Sequence, residues 1–252
     1  MSGELAAWPD RLERAAAGTC FRKIRVHSEC ASTQEPARAL GPGAVVTTGR
    51  QTAGRGRQGR TWEDGEGRSV SVSLAVEADS AARLSTASAL GVLDAVEGLY
   101  GGNNFDLGVK FPNDLVHRDG RKFAGILVEA DDQCAVIGIG INVHVRSWPS
   151  EYRAASLDEL GIACERLELL EALLPAVAGR LNSDDASLAR DYGKRHLPSG
   201  RNVVIEFERE RLEGRLEGID PFGMLELHAQ SGIQSIPVAH CRMLEWGGDA
   251  SP

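Results

Sequence analysis

The stretch Gln51-Thr-Ala-Gly-Arg-Gly-Arg-Gln-Gly-Arg-Thr-Trp62 sets three glycines (Gly54, Gly56, Gly59) and three arginines (Arg55, Arg57, Arg60) ahead of a tryptophan. Glycines let backbone amides approach a ligand closely. Guanidinium groups match the oxygens of phosphates and carboxylates. The pattern reads as a loop that closes on an anion, as a solvated basic turn, or as a patch for nucleic acid. With nothing between them the three charges repel, so the loop is expected to be mobile until an anion orders it. Gly54-x-Gly56-x-x-Gly59 also fits the dinucleotide fingerprint, with Glu77 at about the right distance. That fingerprint must open a helix. Here Ser69-Val-Ser-Val-Ser-Leu-Ala-Val76 follows, alternating with period two, so a strand is predicted and the dinucleotide reading fails on context.

Outward from the loop, Val45 to Thr48 reads as the strand that feeds it, and Ala82 to Leu99 as a helix with one face on the sheet. Upstream, Pro9 to Ala17 has helical spacing and Cys20 to Val26 strand-like alternation. Ser32 and Thr33 precede a helical pattern through Ala39, where either can serve as the N-cap. Downstream comes Lys110-Phe-Pro-Asn-Asp114, in which Pro112 restrains Phe111 to an extended form and Asn113 and Asp114 suit a turn. Arg118-Asp-Gly-Arg121 joins Leu115–His117 to Lys122–Glu129 as a hairpin. Ala135 to Val143 is a strand whose Gly138 and Gly140 imply close approach by a ligand or another chain segment. Ser156 with Glu159 makes a capping-box pattern. Trp148 to Ala155 reads as loop, and Arg166–Leu181 and Ser187–His196 read as helices. Pro198-Ser-Gly200 is a plausible boundary. Beyond it Val203–Phe207, Leu212–Ile219, Met224–His228 and Ile233–Val238 have the spacing of a small antiparallel barrel.

Bulk properties narrow the classes. The 252 residues are 42% hydrophobic and 25% charged, ordinary for a globular chain. Lys+Arg 28 against Asp+Glu 36 gives a net charge of −8, which speaks against general nucleic-acid binding. The five cysteines are scattered and never in Cys-x-x-Cys, as expected of reduced thiols in a cytoplasmic protein without a disulfide framework or zinc site. No signal peptide, membrane-length apolar run or P-loop is found.

Taken together, these motifs resemble the biotin protein ligases. That family carries Gly-Arg-Gly-Arg-x-Gly-Arg-x-Trp, matched at Gly54 to Trp62. Its Lys-Trp-Pro-Asn-Asp is matched at Lys110 to Asp114 with Phe111 for Trp. Its Lys-Leu-Ala-Gly-Ile-Leu-Val-Glu is matched at Lys122 to Glu129 with Phe123 for Leu. Gly-x-Gly-x-Asn recurs at Gly138 to Asn142, and Ser-Thr-Asn appears as Ser32-Thr33-Gln34. Gln34 departs from Asn and receives no role. Order and spacing agree for all five over about residues 25 to 145.

The resemblance implies an α+β fold. A mixed sheet with flanking helices, a class II synthetase-like catalytic domain (1–198), is followed by a small SH3-like β-barrel (199–252). About 20 residues precede the first family strand, too few for the helix-turn-helix domain of larger members, so a monofunctional form is expected. It implies adenylation of biotin by ATP with Mg²⁺ carried on the phosphates, then transfer to one lysine of a biotin carboxyl carrier protein. Catalytic roles fall on Lys122, Arg57, Lys110 and Asp114. Biotin contacts fall on Ser32, Thr33, Gln51, Gly54, Arg55, Arg57, Lys122 and Gly125. ATP contacts fall on Arg57, Arg60, Trp62, Lys110, Asn113 and Asn142, with Trp62 stacking on adenine. No DNA or membrane partner is expected, and a monomer or weak homodimer is. Competing readings are a lipoate ligase or octanoyltransferase of the same fold, and a non-enzymatic nucleic-acid-binding module.

Overall fold

The structure is a computed structural model that describes residues 5–100, 106–148 and 152–247. Ser69–Val76 (β5) and Ala135–Asn142 (β9) form its middle, paired antiparallel from Ser69↔Asn142 to Val76↔Ala135. On one side lie Ala44–Gln51 (β2) and Lys23–Cys30 (β1), the latter parallel to β2. On the other lie Lys122–Ala130 (β8), Asp114–His117 (β7) and Leu107–Lys110 (β6). The seven-stranded order is β1-β2-β5-β9-β8-β7-β6, a mixed sheet as expected.

Alternation sorts the two faces. Val70, Val72 and Leu74 of β5 and Ile137, Ile139 and Ile141 of β9 enter one large core. Over that face pack Ala81–Tyr100 (α3) and Arg166–Leu181 (α4), with Trp8–Ala15 (α1) at the β1 end and Asp185–Arg195 (α5) against α3. The helices α3 and α4 approach closely at Gly91, where a Cβ would lie 2.8 Å from the Val177 Cα. Arg180 ties three helices together, reaching Asp94 at 2.6 Å and Asp191 at 2.7 Å. The other face presents Ser69, Ser71 and Ser73 beside Gly138 and Gly140. At one end it is covered by Gln34–Leu40 (α2), over a small cluster of Ala37, Ala44, Val46, Ala75 and Val136. The short side chains and the uncovered remainder of this face make the cleft.

A second sheet is built from Asn202–Phe207 (β10), Glu210–Ile219 (β11), Met224–Ala229 (β12), Gly232–Pro237 (β13) and Cys241–Trp246 (β14). Its order is β13-β12-β11-β10-β14, all antiparallel, as suits an SH3-like module. The edge strands β13 and β14 do not pair with each other among the described residues, so the expected barrel is open rather than closed. Its core of Val203, Ile205, Leu216, Leu225, Leu227, Ile236 and Met243 receives one aromatic from the first sheet, Phe111.

Phe111 is fixed from both sides. Its backbone N–H donates to His196 Nε2 at 3.2 Å, just beyond α5. Since that nitrogen accepts, the neutral ring carries its proton on Nδ1, 2.9 Å from Ser199 Oγ. Burial holds the imidazole uncharged, with its pKa pushed down to about 3. Pro112 follows through a cis peptide bond.

Sequence reading placed α1 to α5 and the strands from β1 to β13, except three. The four-residue β6 was not expected. Neither was the two-stranded pairing of Gly54–Arg55 (β3) with Thr61–Trp62 (β4) inside the arginine loop. Part of the Trp148–Ala155 loop, 149–151, lies outside the described residues. The Ser156–Glu159 capping box is present: Glu159 accepts from Ser156 N at 2.8 Å, and Ser156 Oγ from Glu159 N at 3.2 Å.

Candidate active site

Seventeen residues of sequence separate Thr33 from Gln51 at the end of β2, yet the parallel pairing of β1 with β2 brings the ends of both strands to one edge of the cleft. There Gln51 Oε1 accepts from Thr33 N at 3.0 Å, and Thr33 Oγ1 lies 2.7 Å from Ser73 Oγ. Gly54 is packed between these parts: a Cβ there would sit 2.4 Å from the Trp62 carbonyl and 2.5 Å from Gln51 Nε2. The cleft, about 490 Å³ including its open mouth, is lined by Ser32, Thr33, Gln34, Gln51, Arg55, Arg57, Trp62, Ser71, Asn113, Lys122, Gly125, Gly138 and Gly140.

Its floor is glycine. A Cβ on Gly140 would lie 2.3 Å from Trp62 Cε2, and one on Gly125 3.4 Å from Trp62 Cζ3. The indole therefore rests on two strands whose side chains have been removed to seat it.

Lys122 reaches the cleft through a break in register. Along β7 and β8, Leu115 pairs with Ala124 but Val116 pairs with Lys122, so Phe123 is an extra residue on the β8 side. Strict alternation would place Lys122 on the same face as Ala124, in the core. The bulge re-aims it to the opposite face. Its Nζ sits 2.5 Å from Asp114 Oδ1 and 5.8 Å from the centre of the Trp62 ring. Its backbone is held by Arg153 and Ala155 at 2.8 and 2.9 Å. Asn113 donates to the Ile126 carbonyl at 2.5 Å and accepts from Arg57 at 3.1 Å.

Of the three arginines, Arg55 is paired with carboxylates. Arg55 bridges Glu35 on α2 at 3.0 Å and Glu129 on β8 at 2.9 Å, across the mouth of the cleft. Gly56 N donates to the Arg60 carbonyl at 2.7 Å and closes the turn. Five expected contacts are not brought to the lining: Gly54, packed behind it, Asp114, which reaches it only through Lys122, and Arg60, Asn142 and Lys110. The Arg60 side chain is exposed outside it. Asn142 is buried and its Nδ2 is committed to the Ala155 carbonyl at 3.2 Å. Lys110 stands one strand back, paired in register with Asp114, and burial lowers its pKa against the pull of that carboxylate. Ser71 and Ser73 were missed, although serines alternating through a strand with no exposed residue were a readable signal.

Asp64 organises the loop from behind, accepting from Gln51 N at 2.6 Å. It is 5% exposed, and burial raises its carboxyl to about 6, against the opposing pull of the Gln51 amide and Arg166. The unfolded chain releases this proton near 3.8. The native state holds it to higher pH, so the contribution to stability is greatest below about 4 and is lost as pH rises through about 6. Asp64→Asn should therefore gain relative to the parent by up to roughly 3 kcal/mol between those limits. Urea unfolding from pH 3.5 to 7.5 reads this, and a difference independent of pH would disprove it.

A mixed sheet with helices on one face, a glycine-floored cleft with an arginine loop, and an antiparallel end module together define a class II synthetase-like catalytic unit with an SH3-like appendage. Residues 21–142 match the Biotin/lipoate A/B protein ligase family and residues 199–243 the Biotin protein ligase C terminal domain. The biotin–[acetyl-CoA-carboxylase] ligase of Mycobacterium tuberculosis is 34% identical over 205 residues, covering 75% of this chain and 77% of that protein. The ligase of the same name from Paracoccus denitrificans is 33% identical over 230 residues, covering 82% and 95%. The biotin protein ligase of Aquifex aeolicus, solved in complex with biotin and ATP, superposes with a TM-score of 0.78 at 25% identity over 89% of this chain and 99% of that one. The chain belongs to the biotin protein ligase family.

Proposed function

We propose that the protein is an ATP-dependent biotin protein ligase that joins biotin to a lysine of a biotin carboxyl carrier protein. The observation that carries this reading is the bulge that delivers Lys122 to a glycine-floored cleft that Arg57 also lines. Adenylation must bring a carboxylate up to an α-phosphate, two groups that repel. A fixed ammonium and a guanidinium at the junction offset that repulsion without reorganising during the reaction. The carboxylate attacks phosphorus, pyrophosphate leaves, and the carrier amine then attacks the resulting mixed anhydride and expels AMP.

Lys122 would hold the carboxylate and the α-phosphate, and Arg57, anchored on Asn113, the phosphates. Trp62 would offer its exposed face to adenine, its other face being seated on glycine. Asp114, paired with Lys122, would take a proton from the incoming amine. No three His, Cys, Asp or Glu side chains cluster for a metal ion among the described residues. Mg²⁺ would therefore enter on the nucleotide, to which it commonly binds through phosphate oxygens, and offset phosphate charge there. No helix among the described residues is long and apolar enough to cross a membrane.

Against a lipoate-handling relative of the same fold, the match to the biotin protein ligase C-terminal domain favours biotin. Pyrophosphate exchange into ATP should depend on biotin and not on lipoate, and carrier should be labelled with biotin. Exchange driven by lipoate alone, or by neither acid, would overturn the assignment.

A further inference from the structure

Trp8 lies on α1, ahead of residue 21, where the match to the ligase family begins. It nevertheless reaches the strand that feeds the arginine loop. Leu5, Trp8 and Leu12 are buried, and the Arg166 guanidinium lies over the Trp8 indole, 5.2 Å from the ring centre. Arg166 opens α4 and is itself 8% exposed. Its Nη1 donates to the Gly49 carbonyl at 2.8 Å, two residues before Gln51. Leu5 packs on the same glycine: a Cβ there would lie 2.6 Å from Leu5 Cδ1. The chain leaving the loop returns to this point. A Cβ on Gly67 would lie 2.7 Å from the Gly49 carbonyl oxygen and 3.8 Å from Arg166 Nη1. Asp64, also on the outgoing side, accepts from Gln51 N at 2.6 Å and sits in the field of Arg166. One buried cation therefore stands behind both stems of the loop. A bond from a charged donor is about twice as strong as a neutral one, and the indole face adds a further attraction.

We propose that Arg166, seated on Trp8, is a positioning residue that holds both stems of the arginine loop, so that α1 sets how tightly the loop closes on its anion. This rests on the biotin ligase reading for the identity of that anion. Each loop residue fixed when an anion binds subtracts conformational entropy from the affinity. Stems that are held beforehand leave fewer residues to fix, and the affinity rises accordingly. Between the stems the backbone carries Gly54, Gly56 and Gly59, the residue type with the most freedom to lose.

The test uses full-length protein, and its first measurement needs no ligand. Trypsin cuts after arginine, and Arg55, Arg57 and Arg60 are exposed in the loop, as is Arg118 in a turn that Arg166 does not touch. The ratio of cleavage in the loop to cleavage at Arg118, read by mass spectrometry, isolates the loop from general loosening of the fold. Arg166→Met keeps an extended side chain and removes the charge and every donor. It should raise the ratio roughly 10-fold. Trp8→Leu keeps an apolar plug without the indole face and should raise it less. Arg166→Lys keeps the charge and one donor and should fall between Arg166→Met and the parent. Calorimetric titration with biotin should show affinity weakening in the same order. A ratio at the parent value in Arg166→Met or Trp8→Leu, equal loosening at both segments, or Arg166→Lys no better than Arg166→Met overturns the proposal. If the parent binds no biotin, the biotin ligase reading fails separately, because the cleavage ratio is measured without it.

Discussion

Lys122→Ala leaves the protein folded and lowers the rate of biotin-dependent pyrophosphate exchange by at least about 10²-fold, because a positioned charge is removed from the transition state. The fold survives because Lys122 is held by backbone bonds to Arg153 and Ala155 that the substitution does not touch. Lys122→Arg should not restore the rate. The ammonium sits 2.9 Å from the point a Gly125 Cβ would occupy and under the rim of Trp62. A planar fork does not fit a space shaped for a compact charge, and it spreads its charge over three nitrogens. Single-turnover exchange with both variants decides the matter. An alanine variant within a few-fold of the parent would remove Lys122 from the chemistry.

Gly140→Ala produces the second large effect. The new methyl would stand 2.3 Å from Trp62 Cε2 and 2.5 Å from Cζ2, so the indole must leave its seat. Overpacking of this kind costs roughly 1–3 kcal/mol. At the level of the adenylation barrier that corresponds to about 5- to 150-fold. The loss should fall on ATP more than on biotin, since Trp62 is the proposed adenine wall. Tryptophan emission of the variant, compared with Trp62→Phe, reports whether the ring has moved. Unchanged emission together with unchanged ATP dependence would contradict the seating argument.

The residues that were legible in the sequence are those whose chemistry is stated by type and local order. Ser32, Thr33, Gln51, Arg55, Arg57, Trp62, Asn113, Lys122 and Gly125 were all expected at one site and all line one cleft. What could not be read was direction. A motif places Asn142 on the right strand, but only its tertiary partner, Ala155, shows that the amide is spent on the backbone. The Phe123 bulge depends on how β7 and β8 align, and no residue of either strand announces it. Strand β14 was missed because its pairing is with β10, whose first residue lies nearly forty positions earlier in the chain. Gln34 was legible as a departure from the motif, but the isolation of its buried amide from partners among the described residues exists only in three dimensions.

Phe111 gives the two sheets a mechanical relation. Its ring belongs to the core of the C-terminal sheet, while two residues onward Asn113 grips the Ile126 carbonyl and Arg57 at the wall of the cleft. The intervening Pro112 has little rotational freedom to absorb a displacement. A displacement of the outer sheet would therefore be passed along a stiff two-residue lever to Arg57, the arginine proposed to hold the phosphates. The appendage acts on the cleft as a handle acts on a latch, and the length of that lever is fixed by the chain itself.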